Sequence, residues 1–209
     1  MANDHLPYDT MCRRQRTEIR PARADAQFPT LSLSIGYAQR SRPADMAKLS
    51  HGQAPTVLQI DYSYNEAVYD VEVLALGDGE QLQAYSFLNL LAEKLRSLLQ
   101  QPIRRRHRRQ DVYDLNLLIA AGSPISAPEQ QRLLQLFVAS CGERAIVPTQ
   151  ASFADPAIRA MALEGYQDLA PEIEGALPPF EVAYAAVQDF YENLPWRDLQ
   201  ASAPPIKTS

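Results

Sequence analysis

The sequence has few of the residues that most often build metal and redox sites. Its two cysteines, Cys12 and Cys141, and three histidines, His5, His51 and His107, are scattered along 209 residues. Two isolated thiols make neither a disulfide framework nor a ligand cluster. The histidines are too dispersed for a His-rich zinc site or a His-based triad. No apolar run approaches the roughly 18 residues of a membrane span, and the N-terminus lacks the apolar region of a secretory signal. No glycine precedes Gly36. The expectation is a cytoplasmic protein with free thiols, in which carboxylates, lysine and arginine carry any chemistry. An apolar fraction of 46% and a charged fraction of 22% fit a globular chain, long enough for one sizeable domain or two small ones.

The charge that is present is unevenly placed. The net charge is -5, yet Arg96 to Arg109 holds six arginines and no acid, whereas Glu143 to Asp198 holds ten acids against three bases. An anionic ligand is drawn to the basic stretch. Basicity of the whole protein, as in many nucleic-acid-binding domains, is absent.

The hydrophobic pattern divides the chain. Residues 1–29 are basic and poor in apolar side chains, and weak order with at most a short helix is expected there. Leu31 to Tyr37 alternates with period two and reads as a half-buried strand. Ser41 to Pro55 reads as a loop, and Val57 to Tyr64 as a second strand. Tyr69 to Leu76 is a third strand closed by the turn Gly77-Asp-Gly-Glu80, and Gln81 to Tyr85 a short fourth. Beyond Ser86 the period is helical. Ser86 is the expected N-cap of a helix that ends before Pro102. Asp111 opens another, closed by Gly122. Pro128 to Cys141, Pro156 to about Ala170 and Phe180 to Leu194 follow. The last has Phe180, Ala183, Tyr184, Val187, Tyr191 and Leu194 on one stripe. Strands followed by helices imply an α+β fold. The implied regions are a poorly ordered segment 1–29, a β region 30–85, a C-terminal helical domain 86–198 and a disordered tail 199–209.

Five acids and one lysine are the candidates for chemistry. Lys94 falls inside an apolar stripe, four after Leu90 and four before Leu98, so its ammonium must snorkel to the rim or meet an anion. Asp111 and Asp114 are three apart on a helix and share a face. Asp111 also suits a helix N-terminus, where the dipole favours acids. Asp114 lies among Tyr, Leu and Ile and needs a partner to offset desolvation. Lys94 or an arginine of the loop is the obvious one, in a structural ion pair or a catalytic centre. Asp61 is a mid-strand carboxylate able to hold Mg²⁺, or simply an exposed acid on a solvated face. Asp70 and Glu72 form a D-x-E pair that could bind metal or only aid solubility. The arginine run suits phosphates, or is a solvated linker.

Several of these stretches resemble a known family. Leu91-Ala-Glu-Lys-Leu95 followed by Gln110-Asp-Val-Tyr-Asp-Leu115 is similar to the helical motifs of AbiEii/AbiGii-type nucleotidyltransferase toxins. Gln59-Ile-Asp-Tyr-Ser-Tyr-Asn-Glu66 resembles their upstream strand motif. Pro179 to Tyr184 and Tyr191 to Trp196 resemble their closing helix. The resemblance spans Leu31 to Trp196. It implies a partial nucleotidyltransferase-like mixed sheet, then a helical domain, with transfer of a nucleotide from NTP to an RNA or protein acceptor. It implies Mg²⁺ at Asp61, phosphate contacts from Lys94, Arg108 and Arg109, and catalytic roles for Asp111 and Asp114. It also implies a cognate antitoxin as partner.

One family feature is missing. No D-x-D occurs anywhere in the sequence, nor does the glycine-containing turn before it. Without those two acids, in-line transfer loses most of its metal clamp. A truncated product, a split enzyme whose second chain supplies the motif, and a degenerate relative are all compatible with this. Weak or absent transferase activity is expected of this chain alone. The alternative is a non-enzymatic module that docks protein or RNA, with Lys94, Asp111 and Asp114 as a structural ion-pair network.

Overall fold

A computed structural model describes residues 9–21, 29–64, 68–77, 79–122 and 124–201. Its contacts divide the chain into two units, Met1–Ala67 and Val68–Ser209. Among the described residues, seven helices follow two small antiparallel sheets and an eighth lies between strands of the first sheet, an α+β fold as expected.

The first unit is a three-stranded antiparallel sheet in the order β1 (Thr10–Arg20), β2 (Thr30–Gln39), β3 (Thr56–Ser63). The strand β1 departs from the expectation of weak order over 1–29. Its arginines disguise a strand, because an outer strand needs few apolar side chains once its backbone pairs with a neighbour. Residues 1–8 and 22–28 lie outside the described residues. Pairing runs from Thr10↔Gln39 to Arg20↔Thr30, with a bulge between Arg14 and Arg16. Gln15, at the bulge, accepts from Ala54 N at 3.2 Å and donates to Leu49 O at 3.4 Å. A Cβ on Gly36 would lie 2.6 Å from Ala54 Cβ and 2.8 Å from the Gln15 side chain, so this close approach requires glycine.

The expected loop 41–55 contains helix α1 (Pro43–Ser50). Pro43 at its start, Asp45 in its first turn and Lys48 in its last match the helix geometry and dipole. It buries Leu49.

The second unit opens with a two-stranded antiparallel hairpin, β4 (Val71–Gly77) and β5 (Glu80–Tyr85). Gly79 has φ +81° at the turn, a conformation that favours glycine. Residue 78 of the expected turn lies outside the described residues. Sequence reading joined this hairpin to the preceding strands, but the contacts group it with the helices. Asp70 explains part of this. Its carboxylate accepts from Ser86 Oγ at 2.6 Å, and Arg132 lies 3.7 Å away.

The helices of this unit are α2 (Phe87–Leu99), α3 (Gln101–Arg104), α4 (Arg109–Ala121), α5 (Ala127–Gly142), α6 (Pro156–Leu163), α7 (Phe180–Glu192) and α8 (Trp196–Ala201). Ser86 caps α2, its hydroxyl accepting from Asn89 N at 3.1 Å, and Gly122 ends α4. The helix expected from Pro156 to about Ala170 stops at Leu163. Gly165 adopts φ +71° and turns the chain into a 3-10 segment, Tyr166–Leu169. The expected tail 199–209 begins within α8, and residues 202–209 lie outside the described residues. Among the described residues no helix is long and apolar enough to cross a membrane.

The apolar stripe of α7 is buried as the spacing predicts, together with Leu91, Leu95 and Leu98 of α2 and Leu133, Leu134 and Phe137 of α5. Tyr191 packs edge-on against Phe137 at 5.5 Å and Trp196 at 5.0 Å, and its hydroxyl donates to Thr149 O at 2.7 Å. Cys141 is wholly buried here, and burial pushes its thiol from 9.0 up to about 12.

The sign of that shift sets a prediction. Above pH 9.0 the unfolded thiol loses its proton while the folded one keeps it, so stability falls as pH rises toward the folded value. Urea unfolding between about pH 9 and pH 10.5 should show Cys141→Ala losing less stability than the native chain, by about 1.4 kcal/mol per pH unit. Parallel curves for the two would contradict the burial of an intact thiol.

Candidate functional site

The site is built on the hairpin α2–α3–α4. The amphipathic α2 buries Leu91, Leu95 and Leu98 and carries Lys94 to the rim of that face. Helix α4 buries Val112 and Leu115 and presents Asp111 and Asp114 one turn apart. Their meeting point is an ion triad. Lys94 Nζ donates to Asp114 Oδ2 at 2.6 Å and to Asp111 Oδ1 at 3.2 Å. The three side chains are 19%, 25% and 12% exposed respectively, shielded but within reach of solvent.

The second oxygen of Asp111 is different. Asp111 Oδ2 is buried with no hydrogen-bond partner among the described residues. The Arg108 guanidinium approaches it only to 3.9 Å. Burial raises the Asp111 carboxyl above its ordinary pKa, against the pull of Lys94 and Arg108. Burial alone would depress Lys94, but the carboxylates of Asp114 and Asp111 together outweigh it and raise its pKa. Burial lowers Arg108, with Asp111 opposing. The result is a charged lysine between two acids, one of which keeps a buried acceptor oxygen without a hydrogen-bond partner among the described residues.

The basic loop before α4 is held from inside. Arg105 takes a left-handed φ of 50° and turns the chain after α3. Gln101, 1% exposed, accepts from Arg108 N at 2.7 Å and donates to Leu98 O at 3.1 Å and Ile158 O at 3.4 Å. It therefore fixes the backbone that starts α4. Arg109 is engaged elsewhere. Its guanidinium donates to Gly165 O at 3.0 Å and pairs with Asp168 at 3.0 Å and Glu172 at 3.6 Å. A Cβ on Gly165 would meet Arg109 Nη1 at 2.8 Å. A second buried network lies one turn along α2, where Arg96 bonds Gln100 Oε1 at 2.9 Å and pairs with Glu93.

Sequence reasoning identified Lys94, Asp111 and Asp114, and the structure brings these three together. It places Arg108 beside them and ties Arg109 to the 165–172 segment. Gln101 and Arg96 were missed. The available signal was two polar residues, Gln100 and Gln101, continuing an apolar face, and an arginine beside Leu95.

Asp61 lies in the first unit, on the exposed strand β3. Its carboxylate accepts from Ser32 Oγ at 2.7 Å, and Gln59 donates to the same hydroxyl. Asp70 precedes β4 and Glu72 lies within it, so the two are not a pair on one strand. Among the described residues no group of three or more His, Cys, Asp or Glu side chains could hold a metal ion. Asp111 and Asp114 already carry Lys94 between them. This donor set does not fit a two-ion clamp, which needs several free carboxylate oxygens converging on one place.

The family described as nucleotidyl transferase AbiEii toxin, type IV toxin–antitoxin system, matches over residues 5–193. No curated protein and no solved structure matches.

Proposed function

The chain belongs to the AbiEii nucleotidyltransferase toxin family, and on that premise we propose that its α2–α4 hairpin binds the phosphates of an NTP. The family is of toxin–antitoxin type and implies an antitoxin as partner, with NTP and a divalent metal in general as its requirements. The observation that carries the proposal is the triad, a charged lysine at the edge of a helix pair with Arg108 beside it. Lys94 and Arg108 supply positive charge to an incoming triphosphate. Arg109, bound to Gly165, Asp168 and Glu172, acts by holding the start of α4 in place.

The transfer itself has a simple balance. An acceptor oxygen of an RNA or protein attacks the α-phosphorus, the bond to the bridging oxygen breaks, and pyrophosphate leaves. The acceptor's proton goes to a carboxylate. Asp111 is the better base, since Oδ2 has no hydrogen-bond partner among the described residues and the raised pKa strengthens its hold on a proton. Asp114 orients Lys94. No step is assigned to Mg²⁺, for which Asp61 is the one candidate acid without converging partners. Transfer by this chain alone is accordingly weak or absent, and a second chain bringing the two missing acids would raise it. The reading places the protein in the cytoplasm, where NTPs are at hand.

The test is transfer of α-labelled NTP to cellular RNA and protein by the purified chain with Mg²⁺. Label near background is the expected result. Robust incorporation abolished by Asp61→Asn would overturn the claim of weak activity alone.

One observation favours the non-enzymatic reading, in which the hairpin docks a protein or RNA. Lys94 already has two carboxylate partners, as a structural network would provide. That reading predicts no NTP binding by a fully folded chain.

A further inference from the structure

Strand β3 is exposed along its whole length: all eight residues from Thr56 to Ser63 are open to solvent. Yet its composition is that of a buried strand. Val57, Leu58, Ile60 and Tyr62 are 48%, 56%, 43% and 60% exposed. Tyr62 stacks edge-on with Tyr64 at 5.2 Å. The register puts Leu58, Ile60 and Tyr62 opposite Ile35, Leu33 and Leu31. Ile19 of β1 faces Leu31 in turn. Side chains directly opposite share a face, so across β2 and β3 one face of the sheet is apolar, while on β1 Thr17 and Arg14 stand opposite Leu33 and Ile35.

The two edges of this sheet are built differently. The β1 edge carries Arg13, Arg14, Arg16 and Arg20 and a bulge at Gln15, the devices that discourage strand addition. The β3 edge has none. Thr56 to Ser63 contains no lysine, arginine, proline or glycine, pairs with β2 in unbroken register, and has no strand beside it among the described residues. Its one charge is Asp61.

We propose that β3 pairs antiparallel with β3 of a second copy of this chain, joining two three-stranded sheets into one of six strands. A strand pairs with itself about a two-fold axis only in registers where each residue faces one of the same parity. Asp61 chooses among these. An axis at residue 61 would set two carboxylates opposite each other. An axis at Ile60 sets each Asp61 opposite Gln59 of the second copy, a carboxylate facing an amide donor. The same register faces Leu58 with Tyr62 and Ile60 with Ile60, so the apolar face runs on across the seam. The interface is self-complementary in charge and in apolar pattern. One eight-residue strand on each side makes a small interface, so the expected dimer is reversible and dissociates on dilution.

Sedimentation of the full chain between about 1 and 100 µM tests this. The expected result is a reversible monomer–dimer equilibrium. Ile60→Lys and Ile60→Glu each place like charges across the axis and should raise the dissociation constant about tenfold or more. Ile60 is 43% exposed, so both variants should unfold in urea near the native midpoint. Mixing the two variants should restore the dimer, because lysine then faces glutamate. A native chain that stays monomeric at about 100 µM overturns the proposal and leaves β3 to a strand of another protein. Association that survives Ile60→Lys, or a mixture that stays monomeric, overturns it as well.

Discussion

Lys94→Ala is expected to lower stability by about 2–4 kcal/mol, a fall in Tm of roughly 5–12 °C. The cause is less the lost attraction than what the lysine leaves behind. Asp111 and Asp114 would face each other across one helical turn with side chains 12% and 25% exposed. Two like charges so shielded repel, and neither can recover its full hydration. The range sits below that of a fully buried pair because water still reaches the rim. Removing all three charges together should recover most of the loss. Lys94→Met with Asp111→Asn and Asp114→Asn is therefore expected to fold nearly as well as the native chain. Urea unfolding of the single and triple variants checks both statements, and equal losses in the two would refute the ion-triad account.

The pH dependence of the triad follows from the same shifts. The pKa of Lys94 is raised in the folded state. Its contribution is complete below 10.5 and disappears only as pH climbs through the folded value. Asp111 is also raised. On acidification the folded state takes up that proton first, so this group adds stability as pH falls toward 3.8. An ordinary paired carboxylate does the opposite. Asp111→Asn should remove this protection and steepen the loss of stability in acid.

Gln101→Leu carries the second large effect, about 2–4 kcal/mol from a nearly isosteric change. The side chain satisfies Arg108 N, Leu98 O and Ile158 O, and it is 1% exposed. Leucine fills the space but takes the side-chain acceptor from Arg108 N and the side-chain donor from Leu98 O and Ile158 O. Arg108 N is the most costly, because it starts α4 and fixes where Asp111 begins. Stability by urea unfolding should fall, and amide exchange should accelerate from Arg108 to Asp111 beyond the general rise. Uniform acceleration through all helices would mean that Gln101 does no more than fill space.

What could be read from the sequence followed from period and punctuation. Helices α2, α4, α5 and α7 were legible because apolar residues recur at helical spacing and Ser86 and Gly122 mark ends. The α7 stripe is buried residue for residue. The triad was legible because charged side chains stood within or beside apolar stripes. Strand β1 was not, since its order comes from pairing with β2 rather than from its own side chains. Helix α1 was hidden by its shortness, eight residues with one buried leucine. Gln101 was missed because a glutamine carries no charge to flag it, and its partners, Leu98, Arg108 and Ile158, come from three separate helical segments.

Binding of nucleotide phosphates by the α2–α4 hairpin is the step on which the proposed function depends. Calorimetric titration of NTPs with Mg²⁺ into the native protein, beside the folded triple variant at Lys94, Asp111 and Asp114, tests it most directly. The account predicts saturable binding by the native chain and none by the variant. No binding at millimolar NTP, or equal binding by both, would contradict it.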